Sequence, residues 1–420
     1  MISTRIASTG IVALLVTLAT SASADDLKVR ADRLHRSAIV VDTHEDVPER
    51  LGLEWVDISV RNKTGHVDIP RLKEGGVTGA FFAAYVPASF AAAGGAAKKT
   101  LELIDLIRRL AERHPELVFA DSPDGVRAAK RAGKIAVLVG IEGGHAIDDS
   151  LGALSSFARL GVRYMTLTHT NTNNWADSSG NFFAWNFDPK KVAVHDGLSP
   201  FGREVVLEMN RLGMLVDVSH VSDKTIADVL ATSKAPVFAS HSSCRALSGI
   251  PRNLTDDQIQ AIAAKGGVVM VNVSSTFLDQ AVVDDFVRQK TALAPKFSEV
   301  AARLANDPGK RDAEIAALIE KLPRRRTDWK AAVDHIERIL KIAGPGSVGL
   351  GTDFDGIPDP PNGLEDVSKL PRLTEELLRR GHSEKEVRGV LGENFLQFWE
   401  RARGAAAKAG TGKLPLPPGP

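Results

Sequence analysis

The chain has 420 residues, 43% of them hydrophobic and 25% charged, and a formal net charge of +1. That balance belongs to a globular protein with a large core and excludes a fibrous or disordered chain. Near-neutral charge supplies no field for nucleic acid or an anionic membrane surface, and a single cysteine, Cys244, excludes an internal disulfide.

The first segment reads as a leader. Residues 1–24 hold Arg5, an apolar stretch from Ile11 to about Ala19, and Ala22-Ser23-Ala24. These are the basic start, apolar centre and small-residue end of a secretory signal cut near Ala24. The apolar stretch is too short to span a bilayer. The expected product is exported, periplasmic or secreted, with no stable membrane anchor.

Eight short runs rich in apolar and β-branched residues follow: 38–44, 77–85, 134–143, 162–169, 215–220, 237–243, 267–274 and 348–356. Most are hydrophobic almost without break, as in strands buried on both faces of a parallel sheet. Amphipathic helical patterns separate them. One carries Leu101, Ile104, Leu106, Ile107 and Leu110 on a broad face, and another opens on a Ser222-Asp223 cap. Strands alternating with helices predict an α/β fold, a (β/α)8 TIM-type barrel, as a single domain over residues 25–403.

Two connections are long. Residues 170–200, rich in Asn and aromatics, read as a loop over the barrel mouth. Residues 275–347 read as a helical insertion after the seventh strand. The charged stretch within it reads as a solvated surface element, with a lid or a dimer contact as the alternatives. Residues 404–420, dominated by Gly, Ala, Pro and Lys, read as a disordered tail.

In such a barrel the active site gathers at the C-terminal ends of the strands. Six of the eight runs end in groups that bind metals or move protons: His44 with Asp46, Glu142, His169, His220, His241, and Asp353 with Asp355. A lone histidine at a strand end is more often structural. Four of them with several carboxylates, at corresponding ends of neighbouring strands, point to one shared site. Imidazole and carboxylate without cysteine suit zinc, with manganese, iron or cobalt as alternatives. The set is too large for one tetrahedral ion. Two Zn2+ ions about 3.5–4 Å apart, bridged by a carboxylate and a hydroxide, account for it. His44, Asp46 and Glu142 would serve one ion, and Glu142, His220 and His241 the other. Strand alternation puts Asp42, His44 and Asp46 on one side and Glu45 on the other. Asp42 would then sit deeper, orienting a ligand or filling a polar layer. Gly143, Gly144 and His145 follow Glu142 at the end of the third run; the remaining histidines (His35, His66, His114, His195, His335 and His382) fall in helical or loop segments and are expected to titrate in solvent.

In order along the chain, "VDTHED", "GIEGGHA", "YMTLTHTNTNNWADS", "GLSPFG", "DVSHVS", "SHSSCRAL", "PRNLTDDQI", "GLGTDFDG" and "GENFLQFW" resemble the membrane (renal) dipeptidase family, the metallopeptidase branch of the amidohydrolase-type barrels. The resemblance runs from about residue 35 to 400. It implies a dinuclear zinc dipeptidase that hydrolyses free dipeptides, including those with a D-configured C-terminal residue. It implies that His44 and Asp46 bind the first zinc, that Glu142 bridges, and that His220 and His241 bind the second. It further implies that His169 contacts substrate near the metals, that Arg252 holds the substrate's terminal carboxylate, and that Asp353 transfers the proton. An arginine clamp of this kind favours a substrate that ends just after the scissile bond.

Three departures stand out. Glu45 replaces an Asn common in the family. Ser274 stands where members can carry a substrate-contacting tyrosine, which loosens one pocket wall. Cys244 alone offers no disulfide framework. Barrels of this type pair readily, so a homodimer is the expectation. The competing readings are another hydrolase on the same metal site (a lactonase, β-lactam hydrolase or phosphotriesterase), for which Arg252 would be idle, and a binding protein with a decayed site, against which the full ligand set argues.

Overall fold

Each of the eight apolar runs forms a strand in the computed structural model, which describes residues 24–408. The predicted export signal, apart from its last residue, and the end of the predicted tail lie outside the described residues. The strands are β1 (Val41–Glu45), β2 (Gly79–Tyr85), β3 (Leu117–Phe119), β4 (Ile135–Glu142), β5 (Val162–Thr166), β6 (Leu215–Asp217), β7 (Phe238–Ala239), β8 (Val268–Val271) and β9 (Val348–Leu350). All pairings are parallel. The order runs β2-β1-β9-β8-β7-β6-β5-β4, and β2 pairs with β4 from Gly79↔Ala136 to Tyr85↔Glu142, closing an eight-stranded barrel. The short β3 was not among the predicted runs; three residues carry too little pattern to stand out. It lines up on the first residues of β4, where Leu117 pairs with Ile135.

Alternation divides the barrel residues into two apolar layers. Val137, Val139 and Ile141 of β4 face the surrounding helices, while Ala136 and Leu138 join an inner cluster with Phe81, Tyr164, Phe238 and Met270. Phe395, Phe398 and Trp399 of the helix Asn394–Lys408 complete the inner cluster. All three are fully buried, and each such aromatic contributes roughly 1.5–3 kcal/mol on leaving water. That helix continues past residue 403, where the tail was expected to begin, because Ala405, Ala406 and Ala407 are strong helix formers.

The insertion departs from a purely solvated element. Its last helix, Lys330–Ala343, buries Val333, Ile336 and Ile339 in the main core. The helices Gln280–Ala292, Ala294–Arg303 and Pro308–Glu320 form a separate cluster of Phe286, Phe297, Val300, Ile315 and Ile319. Phe182, Phe183 and Trp185 of the 170–200 connection pack onto it. The Lys290 ammonium donates to the carbonyls of Phe182 (3.1 Å) and Ala184 (3.2 Å), fastening the two long connections together.

The six histidines expected to titrate in solvent are not simply solvated, a correction to the sequence expectation. His35 is buried, with Nδ1 2.7 Å from Thr374 Oγ1. His335 is fully buried: Nδ1 accepts from the Cys244 backbone N–H (2.9 Å) and Nε2 lies 3.0 Å from the Leu278 carbonyl. His114 is buried as well. His195 and His382 hold partners in Asn173 and Glu337, and His66 Nδ1 accepts from the Asp355 backbone N–H. Burial lowers His35, and takes His66 and His335 down to about 4. The partners that bury His35 and His335 lie far away in sequence, beyond any local pattern. No helix among the described residues is long and apolar enough to cross a membrane.

Candidate metal centre

The strand ends deliver their side chains through unusual backbone. The β1–β2 register shifts between Asp42 and Glu45, so strict alternation does not hold there. The Asp42 carboxylate accepts from the backbone N–H groups of His44 (3.2 Å) and Thr352 (2.9 Å) and from the Thr352 hydroxyl (2.5 Å). It thereby ties the end of β1 to the segment that carries Asp353. His220, Asp353 and Asp355 all have positive φ, at 66°, 64° and 69°. Left-handed backbone is costly for such residues and concentrates where function demands a particular aim. Gly143, at φ 95°, turns the chain directly after Glu142.

These turns converge on Glu142. Its Oε1 stands 3.0 Å from His220 Nε2, 3.3 Å from His241 Nε2, 3.5 Å from His44 Nε2 and 4.0 Å from His169 Nε2. His44 Nε2 lies 3.6 Å from Asp46 Oδ2, and the Nε2 atoms of His220 and His241 are 2.9 Å apart. Three ligand groups overlap here: His44–Glu142–His241, Glu142–His169–His220 and His44–Asp46–Asp353. All five expected ligands are therefore together, with His169 and Asp353 beside them.

Two hydrogen-bond chains set the imidazole tautomers. The Ser240 hydroxyl donates to Asp217 Oδ2 (2.6 Å) and lies 2.7 Å from His241 Nδ1. His241 Nδ1–H therefore donates to Ser240, leaving the Nε2 lone pair facing Glu142. The Tyr164 hydroxyl donates to the Thr43 carbonyl (3.1 Å) and lies 2.8 Å from His44 Nδ1, with the same result. Gly140 makes room for the Tyr164 ring, since a Cβ there would stand 2.0 Å from its Cζ. His44 Nε2 and Asp46 Oδ1 are buried with no hydrogen-bond partner. Buried polar atoms rarely go unpaired, and lone pairs converging on a carboxylate oxygen fit divalent cations held by nitrogen and oxygen.

The electrostatics agree. Burial pushes the Asp46 carboxyl well above its usual range, helped by the charges of Glu142 and Asp353. Glu142 is driven well below its own range, because the surrounding histidines overcome the cost of burial. Burial, then the charge of Arg252, lowers His220; burial, with His44 and Arg252, lowers His241. Both are thereby kept neutral, the state that a metal ligand requires. Glu45 takes no part: it is fully buried, and burial with the charges of Asp42 and Asp355 raises its carboxyl well above the usual range.

A cavity of about 290 Å3 opens over this cluster, lined by Glu49, Tyr85, His169, Phe182, Phe183, Arg252, Ser274, Phe277 and Asp353 among others. That volume suits a small substrate. Arg252 is only 5% exposed yet pairs with no carboxylate among the described residues. It donates long bonds to Ser242 Oγ (3.4 Å) and the His241 carbonyl (3.3 Å), and its guanidinium lies 5.3 Å from the Phe277 ring centroid. Burial lowers it to about 10, so it stays cationic at neutral pH. Asp353 Oδ2 accepts from Asn272 Nδ2 (2.7 Å), and burial raises its carboxyl. Burial takes His169 down to about 4, with Glu142 opposing and Arg252 assisting. Ser274 lines the cavity, but its hydroxyl donates to Asp359 Oδ1 (2.6 Å).

Sequence reasoning missed Tyr164, Asp217, Ser240, Asn272, Glu49 and Tyr85. Asp217 and Ser240 carried a signal, standing at strand ends beside expected ligands. Tyr164 carried none, lying inside an apolar strand.

The comparisons agree with this geometry. The family model for membrane dipeptidase, peptidase family M19, matches residues 28–411. The crystal structure of the probable dipeptidase PvdM from Pseudomonas aeruginosa is 26% identical, with 91% of this chain and 99% of that one covered and a TM-score of 0.76. Dipeptidase AC, an M19 metallopeptidase, is 27% identical, with 87% and 99% covered and a TM-score of 0.70. A metallopeptidase from Rhodobacter sphaeroides, solved with a phosphinate mimic of L-Ala-D-Ala, is 26% identical, with 87% and 99% covered and a TM-score of 0.69. The chain belongs to the membrane dipeptidase family and is a metallo-dipeptidase.

Proposed function

We propose that this protein is a dinuclear zinc dipeptidase that hydrolyses free dipeptides, including those with a D-configured C-terminal residue. The observation that carries the reading is Arg252: a buried guanidinium without an ion-pair partner, in the same cavity as the ligand cluster. A buried charge is expensive to leave unpaired, and a dipeptide carboxylate would supply its partner. The phosphinate mimic of L-Ala-D-Ala in the Rhodobacter sphaeroides relative supports the D-configured substrate.

His44, Asp46, Glu142, His220 and His241 would hold the two ions, with Glu142 between them. Bound there, zinc supplies water that ionises near neutral pH and polarises the scissile carbonyl. The remaining steps fall to the chain. Arg252 fixes the substrate carboxylate through its Nη groups. His169, held neutral, donates from Nε2 to the carbonyl oxygen as charge develops there. Asp353, held at Oδ2 by Asn272 and hydrogen-bonded to Asp46, takes the proton of the attacking water and passes it to the departing amine. The signal read in residues 1–24 would place the enzyme in the periplasm or outside the cell.

The test is hydrolysis by the zinc-loaded protein of L-Ala-D-Ala, L-Ala-L-Ala, their C-terminal amides, a tripeptide and a lactone. Cleavage confined to free dipeptides, lost with a chelator and reduced at least tenfold by Arg252→Ala, is the expected result. Equal activity on the amides, or activity on the lactone alone, overturns the substrate assignment.

A further inference from the structure

The cavity leaves one acid without a task. Glu49 lies in the first turn of the helix Val47–Leu53, which starts directly after Asp46, and it lines the cavity. Val47 and Leu51 of the same helix turn into the core. Among the described residues no hydrogen bond or ion pair holds the Glu49 carboxylate. A glutamate at this helix position often caps the helix start by accepting from the N-cap backbone N–H. Here that N–H, of Asp46, donates instead to the Phe354 carbonyl (2.9 Å). Glu49 is thus spent neither on a salt bridge nor on a cap.

The other lining acids are committed. Asp46 and Glu142 belong to the ligand cluster, and Asp353 is held by Asn272. The one cation lining the cavity is Arg252. A free dipeptide is a zwitterion, and if its carboxylate goes to Arg252 its ammonium needs an anion elsewhere on the wall. Topology puts Glu49 in the right place. Arg252 follows β7 and Glu49 follows β1, three strands apart round an eight-stranded ring, with β8 and β9 between. The two charges therefore approach the cavity from well-separated parts of its rim. Burial, with the charges of Glu142 and Asp353, raises Glu49 to about 7, a strain that a bound cation relieves.

We propose that Glu49 binds the α-ammonium group of the substrate and so selects dipeptides with an unblocked N-terminus. This rests on the dipeptidase reading and adds a second anchor to it.

The experiment compares wild type, Glu49→Gln and Glu49→Asp as zinc-loaded enzymes on L-Ala-D-Ala and on propionyl-D-Ala, which lacks only the amine. It also measures inhibition by a phosphinate dipeptide mimic with and without its amine. Glu49→Gln is expected to lower kcat/KM for L-Ala-D-Ala about 10- to 100-fold, mainly through KM, and to weaken the amine-bearing phosphinate similarly. Propionyl-D-Ala and the amine-free phosphinate should respond alike to all three proteins, and Glu49→Asp should recover part of the loss. Equal losses with and without the amine, or no loss for L-Ala-D-Ala, overturn the role of Glu49 while the dipeptidase reading stands. A wild-type enzyme that cleaves no free dipeptide overturns both.

Discussion

The Tyr164 hydroxyl stands 2.8 Å from Nδ1 of His44, joining the inner apolar cluster of the barrel to the ligand cluster above it. Because that hydroxyl donates to the Thr43 carbonyl, it can only accept from His44, and the ring is locked with Nε2 free. Tyr164→Phe keeps the buried ring but removes the acceptor. Such supporting groups are worth about 10- to 100-fold in metal affinity. Zinc affinity measured against a competing chelator should fall within that range while thermal stability changes little. An unchanged affinity would mean that packing alone orients His44.

His335 makes the fold sensitive to acid. Burial holds it at about 4, against an ordinary value near 6.5. The unfolded chain therefore binds a proton between those values that the folded chain refuses. Its contribution is fully present above about pH 6.5 and is lost as pH falls towards 4, amounting to roughly 3 kcal/mol across that window. Urea midpoints should drop between pH 7 and pH 4.5. In His335→Gln the midpoint at pH 7 should be lower, because the bonds to Cys244 and Leu278 are weakened, and its slope with pH should be shallower. A slope identical to wild type would assign the acid sensitivity to other groups.

Much of the site was legible because both of its signals are local. Apolar runs marked the eight barrel strands, and ligand-type residues at their ends marked His44, Asp46, Glu142, His220 and His241. The illegible parts depend on distance along the chain. His335 takes its buried partners from 91 and 57 residues away. The tautomer-setting role of Tyr164 needs a histidine 120 residues earlier. The register shift between Asp42 and Glu45 is a property of paired strands, and a single strand's alternation cannot reveal it. The charged insertion read as solvated because the aromatics that cover it, Phe182 and Phe183, belong to a different connection.

Phe286 tests the cover. It meets Phe183 at 5.4 Å and Phe182 at 6.1 Å between ring centroids, and both of those residues line the cavity. Truncating a buried phenylalanine costs roughly 3–5 kcal/mol where it packs. That cluster is separate from the main core, so the loss should stay local. Phe286→Ala should raise KM for dipeptides, leave the main unfolding transition near its wild-type position, and expose residues 280–320 to limited proteolysis. A wild-type KM would show that Phe182 and Phe183 hold their places without the insertion.

Loading the centre should release protons. His44 is raised, because Glu142 and the neighbouring carboxylates outweigh its burial, and Asp46 is raised well above its usual range by burial. Each group therefore holds a proton more tightly than it would in water, whereas a metal ligand must be bare. Metal binding has to remove any such proton, so affinity should climb as pH rises and level off once both groups are bare. Calorimetric zinc titrations at one pH, in buffers of different ionisation enthalpy, count the protons directly. An apparent enthalpy that does not vary with the buffer would mean that His44 and Asp46 are already deprotonated, and that the cluster is held open by some other means.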